Sequence, residues 1–174
     1  MKYLSMLVLI STSSLALKIE PYYEADLPNL AIDITRDDTG KFIEVTVNEW
    51  HDTIYTKEGT KNYIYRQGYN YQKKKGFIRT YSPEMKLLFE EYSEKNDGMV
   101  VREEMLVAFD LFKADSTVAK LLSDTNEPIT IHGGFNYEDK KPTEACYPGN
   151  RCVHVIASTP SVAVLAHAIV STPV

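Results

Sequence analysis

Alternation of apolar and polar positions is the first readable pattern in this chain. Over residues 42–50, Ile43, Val45 and Val47 fall on one side of an extended backbone, and Glu44, Thr46 and Asn48 fall on the other. That period of two marks a half-buried strand. Residues 30–35 are also rich in β-branched side chains, and Asp37-Asp38-Thr39-Gly40 lies between the two runs. The arrangement predicts a hairpin. In the following run, residues 62–71, Arg66-Gln67-Gly68 has the composition of a three-residue loop with Gly68 in the left-handed region. This predicts a second hairpin, with Tyr65 opposite Tyr69 and Tyr63 opposite Tyr71 as cross-strand aromatic pairs.

The period then changes. Ser82-Pro83 has the form of an N-cap and first-turn proline, and Met85, Leu88, Phe89 and Tyr92 recur at helical spacing before Asn96-Asp97-Gly98. A helix with a single buried stripe is expected there. Val101, Met105, Ala108 and Phe112 predict another, although 99–102 also reads as a strand. Asp115-Ser116-Thr117 caps a third, short helix carrying Val118, Leu121 and Leu122. Residues 128–132 and 152–157 read as strands, and the apolar tail over 162–170 as a last strand or helix. The expected class is α+β: an antiparallel sheet packed with two or three helices in a single domain.

The start of the chain belongs to a different category. Residues 1–16, MKYLSMLVLISTSSLA, combine an early Lys2, an apolar run over 4–10 and small residues at Ser14 and Ala16. That is the pattern of a signal peptide cleaved after Ala16. Residues 17–174 are then one secreted domain of ordinary size. No later segment has the length of apolar residues that a membrane span needs. In an oxidising compartment Cys146 and Cys152, separated by Tyr-Pro-Gly-Asn-Arg, are expected to form a disulfide around a Pro148-Gly149 turn.

Charge sharpens the picture because it is uneven. The net charge is −5, which argues against a general nucleic-acid binder. Yet residues 57–79 hold seven bases (Lys57, Lys61, Arg66, Lys73, Lys74, Lys75, Arg79) and one acid, Glu58. Tyr63, Tyr65, Tyr69, Tyr71 and Phe77 lie among them. A surface of Tyr63, Tyr65, Arg66, Tyr69, Tyr71, Lys73, Lys74 and Lys75 would suit stacked bases and phosphates, or an acidic protein. The plainer reading packs the tyrosines on the core and leaves the lysines solvated.

The four histidines fall in no metal motif, and no nucleophile signature accompanies them. His51 stands between Trp50 and Asp52, while His154 and His167 lie in apolar strand-like runs with structural roles. His132 ends the strand Ile129-Thr130-Ile131 and precedes Gly133-Gly134, which leave its ring accessible and let a ligand approach the backbone. It is the candidate general acid/base. The plainer reading is a surface histidine at a strand end.

Two fragments carry a family resemblance. Tyr71-Gln-Lys-Lys-Lys-Gly76-Phe77 resembles the Tyr-x4-Gly-Phe of the fungal T1-type guanyl-specific ribonucleases, and Ile129-Thr130-Ile131-His132-Gly133-Gly134 before Cys146 is similar to that family's Ile-Thr-His strand. RNase-like secreted effectors of plant-pathogenic fungi share the fold. The resemblance implies His132 as general acid and puts Tyr69 where the family has a histidine. The family's catalytic Glu and Arg have only Glu103 or Glu104 and Arg102 as counterparts of suitable type. Such a chain would have kept a binding surface and lost catalysis.

The expected function is therefore that of a secreted, non-catalytic, effector-like interaction protein. It would need no cofactor and would meet a host or target protein, outside or inside a host cell, through the basic tyrosine-rich surface. The alternatives are RNA as partner, and a secreted ribonuclease using His132.

Overall fold

The computed structural model describes residues 19–21, 31–94, 99–137, 146 and 150–172. The leader expected over residues 1–16, the Asn96-Asp97-Gly98 stop and the Pro148-Gly149 turn lie outside the described residues. Nine strands and two helices appear among the described residues: β1 (Ile19–Pro21), β2 (Asp33–Arg36), β3 (Phe42–Thr56), β4 (Gly59–Asn70), β5 (Lys75–Tyr81), β6 (Leu87–Ser93), α1 (Arg102–Ala114), α2 (Ser116–Ser123), β7 (Ile129–Tyr137), β8 (Cys152–Ser158) and β9 (Ala166–Ser171). Strands β2 to β6 form a five-stranded antiparallel meander in chain order, and the other sheet has the order β1-β7-β8-β9. Among the described strands only the β1–β7 pair is parallel. The protein is thus richer in sheet than an α+β fold with two or three helices implies, though antiparallel pairing dominates as expected.

The first hairpin forms as its sequence predicts. Asp37 Oδ1 accepts hydrogen bonds from Thr39 N at 2.8 Å and Lys41 N at 3.0 Å, and Gly40 adopts φ 86°. The second predicted hairpin does not form. Residues 62–70 are part of one strand, β4, which turns at Lys57-Glu58 instead. Gly68 serves a different purpose. A Cβ there would stand 2.2 Å from the Val45 carbonyl oxygen and 2.5 Å from the Phe77 ring, so glycine lets that ring lie across the strand. Tyr65 and Tyr69 consequently follow one another along one strand rather than facing across two.

The helix expected from Ser82 is also overturned. Ser82 and Met85 close a turn, with Met85 at φ 61°, and the chain returns as β6. Helical spacing of Met85, Leu88, Phe89 and Tyr92 described a stripe that would need burial. Leu88 and Phe89 are instead exposed, whereas Tyr92 and Glu90 meet Phe77 and Arg79 across the strands. Cross-strand pairing, absent from a local pattern, decided the element.

The remaining elements match their patterns. Asp115 caps α2 by accepting from Thr117 N at 2.9 Å and Val118 N at 3.0 Å. The tail forms β9. Helix α1 presents Met105, Ala108, Phe109 and Phe112 to Ile129, Ile131, Val153, Val155 and Ala157 of the four-stranded sheet. A second cluster unites Phe42, Val45, Tyr69 and Tyr71 of the meander with Val101 before the helix, and Val107 packs against it. Helix α1 is therefore shared between the two sheets.

A buried ion pair sits where these parts meet. Arg151 donates from Nε to Glu104 Oε1 at 2.5 Å and from Nη2 to Glu104 Oε2 at 2.9 Å, with both side chains fully inaccessible. Val101 N donates to Glu104 Oε2 at 2.8 Å, and the Tyr71 hydroxyl makes a short hydrogen bond to Glu104 Oε1. Arg151 also reaches the Met99 carbonyl at 2.5 Å, and its own carbonyl accepts from Thr172 N and Oγ1. Burial opposes the charge on Arg151, but the adjacent Glu104 outweighs it and holds the pKa above the ordinary value.

Candidate binding surface

Strand β4 carries Tyr63, Tyr65, Arg66 and Tyr69 of the residues singled out in the sequence, and its alternation sends them to opposite faces of the meander. Tyr63, Tyr65 and Tyr69 point to the inner face, toward α1; Arg66 points to the outer face. Tyr69 and Tyr71 are only 2% and 1% exposed, held edge to face at 4.9 Å. They belong to the core, so the structure removes them from any contact surface. Burial raises the pKa of both, with Tyr69 pushed up to about 12, where Arg151 opposes the rise and Glu104 adds to it.

The outer face explains what becomes of the basic segment. Arg66 donates to Glu49 at 2.7 Å; Arg79 donates to Glu90 at 2.6 Å and grips Glu44 with both terminal nitrogens, one of them at 2.7 Å. Lys75 lies 3.6 Å from Glu94, and on the inner-face side of β4 Lys61 lies 3.6 Å from Glu58. Lys73 places its ammonium 3.8 Å from the centre of the Tyr92 ring, while Lys74 occupies the β4–β5 turn at φ 53°. Bonds to Arg66 and Arg79 hold the Glu49 and Glu90 carboxyls below the usual range. The meander brings acids of β3 and β6 alongside the bases of β4 and β5, so the positive stretch of sequence is largely neutralised in space.

The inner face is only half covered. Near Val45 and Tyr69 it contributes to the core around Val101; beyond Gln67 it continues as an open platform. Trp50 is directly opposite Tyr65, which is opposite Thr80, which is opposite Phe89. The Trp50 and Tyr65 rings stack at 5.2 Å and 9°, and Tyr63 follows at 6.4 Å. Trp50 is 36% exposed and Phe89 59%, with Ile54 and Ile78 also open on this face. Residue type and charge alone point to Tyr63 and Tyr65 but not to Trp50, Ile54, Ile78 or Phe89. The signal was present for the first two: the alternation of Val45 and Val47 continues, across a bulge, through Trp50 and Ile54.

His132 belongs to a different region, on β7 of the four-stranded sheet, directly opposite Ile156. The structure separates it from the tyrosine strand. Glu104 is committed to Arg151, Tyr71 and the Val101 amide in the core. Glu103 and Arg102, also of suitable type, stand at the start of α1 with Glu103 Oε2 and Arg102 Nε buried and without a hydrogen-bond partner among the described residues. Cys146 and Cys152 form the expected disulfide, with Cα atoms 5.7 Å apart. Among the described residues no helix is long and apolar enough to cross a membrane. No known protein family, curated protein or solved structure matches the chain.

Proposed function

We propose that this is a secreted, non-catalytic, effector-like interaction protein that binds a host or target protein through the open inner face of its meander. The observation that carries this reading is the platform of Trp50, Tyr65, Tyr63, Ile54, Ile78 and Phe89. Rigid aromatic side chains with few rotatable bonds are the residues that dominate protein interfaces. Secretion rests on the leader pattern of residues 1–16, and the disulfide agrees with an oxidising compartment.

RNA is the weaker partner on physical grounds. Nucleic-acid affinity comes chiefly from cations that meet phosphates, and Arg66, Arg79, Lys61 and Lys75 already face carboxylates in a chain of net charge −5. Tyr63 and Tyr65 then belong to the platform itself, Arg66 stands on the opposite face, and Lys73 and Lys74 lie at the β4–β5 turn with Lys75 beginning β5.

The test compares affinity purification with three baits: the mature chain, a Trp50→Ser/Phe89→Ser variant, and a Lys73→Glu/Lys74→Glu/Lys75→Glu variant, all checked for unchanged melting. A protein partner retained by the wild type and the lysine variant but lost by the platform variant supports the reading. Retention by the platform variant overturns it, as does saturable binding of single-stranded RNA that the lysine variant abolishes. Cleavage of RNA by the wild type and not by His132→Ala would establish the ribonuclease instead.

A further inference from the structure

We propose that His154 and His167 form a two-imidazole site for a divalent transition-metal ion, Cu2+ in first place, on the face of the four-stranded sheet that points away from α1. The two residues are thirteen apart in sequence and meet only because β8 and β9 pair: His154 is opposite Ile169, and Ile156 is opposite His167. Both side chains alternate with the core residues Val153, Val155 and Ala166, so they stand on the other side of the sheet. His154 Nδ1 lies 2.9 Å from His167 Nε2, with ring planes within 14°. The Tyr137 ring meets His154 edge-on at 5.1 Å and supports its orientation.

That separation suits one coordination geometry better than another. Two nitrogens each about 2.0–2.1 Å from a metal stand about 2.9 Å apart at a right angle, and about 3.3–3.4 Å apart at the tetrahedral angle. The pair thus matches two adjacent corners of a tetragonal Cu2+ complex. Cu2+ also stands highest among the divalent first-row ions for imidazole ligands. In the metal-free pair one ring donates its N–H to the other. On binding, that proton moves to the far nitrogen of the same ring, so both facing nitrogens present lone pairs, and each ring turns toward the ion. No net proton is released from two neutral rings. Among the described residues no third His, Cys, Asp or Glu joins the pair, which leaves the remaining corners to water.

The test is a CuCl2 titration of the full chain against glycine as a weak competitor, followed by visible absorption and electron paramagnetic resonance. One ion per chain is expected, with affinity at least about tenfold above that of His154→Gln or of His167→Gln, because each variant removes one arm of a chelate. His51→Gln and His132→Gln should bind as the wild type does. Equal affinity of the wild type and both pair variants, or loss only with His132→Gln or His51→Gln, overturns the site. Should the pair variants melt early, wild-type NMR decides: substoichiometric Cu2+ must broaden the His154 and His167 ring protons first, and initial broadening elsewhere refutes the proposal.

Discussion

Replacing Glu104 by Gln removes one charge at the point where both sheets and α1 meet, and keeps the size of the side chain. Arg151 and Glu104 are fully inaccessible, so the guanidinium loses the carboxylate that faces it at a place water does not reach. The amide can still accept from the Val101 N–H, but one of its two terminal atoms becomes a donor facing the Arg151 or Tyr71 donors. Breaking one partner of a buried pair costs about 3–5 kcal/mol. Against a typical domain stability of about 5–15 kcal/mol, this is a large fraction. For a chain of this size it corresponds to a fall in Tm of roughly 6–20 °C. Guanidinium unfolding followed by circular dichroism measures it, with Arg151→Met and the Glu104→Gln/Arg151→Met double variant completing a cycle. The double variant should cost less than the sum of the singles by more than about 1 kcal/mol, because it leaves no isolated charge. A cost below about 1 kcal/mol for Glu104→Gln, or strict additivity, would refute the argument that this pair joins the sheets.

Three further outcomes follow from particular contacts. Gly68→Ala should destabilise by about 1–3 kcal/mol, since its methyl meets the Val45 carbonyl and the Phe77 ring, and its midpoint should partly recover when Phe77 is shortened to Leu; no loss would mean that the ring does not cross the strand. Tyr69, with its pKa raised from 10.0 to about 12, binds its proton more tightly folded than unfolded. Its contribution is complete below pH 10 and is lost as pH rises toward 12, by on the order of 3 kcal/mol; Tyr69→Phe should flatten the alkaline limb of the stability curve, and an unchanged limb would discount the shift. Reduction of Cys146–Cys152 should lower stability by about 2 kcal/mol, the loop being short, and a Cys146→Ser/Cys152→Ser variant should then be indifferent to reductant.

Local chemistry in the sequence was sufficient wherever an element is decided by its own residues. The Asp37–Gly40 turn, the Asp115 cap, the 3.6-residue stripe of α1 and the Cys146–Cys152 pair were all legible because turn, cap, amphipathic helix and short covalent loop are near-neighbour effects. Five features were settled only by tertiary pairing. Gly68 read as a turn because glycine permits one, but the Phe77 ring supplied the reason for it. Residues 87–93 had helical spacing, yet Arg79 and Phe77 across the sheet made them a strand. The basic stretch of 57–79 read as one charged face until alternation divided it and β3 and β6 set Glu49, Glu44 and Glu90 beside it. Strand register alone set Trp50 and Phe89 in one row across the inner face and made His154 and His167 neighbours, and register depends on residues far apart in the chain and leaves no mark in the spacing between them.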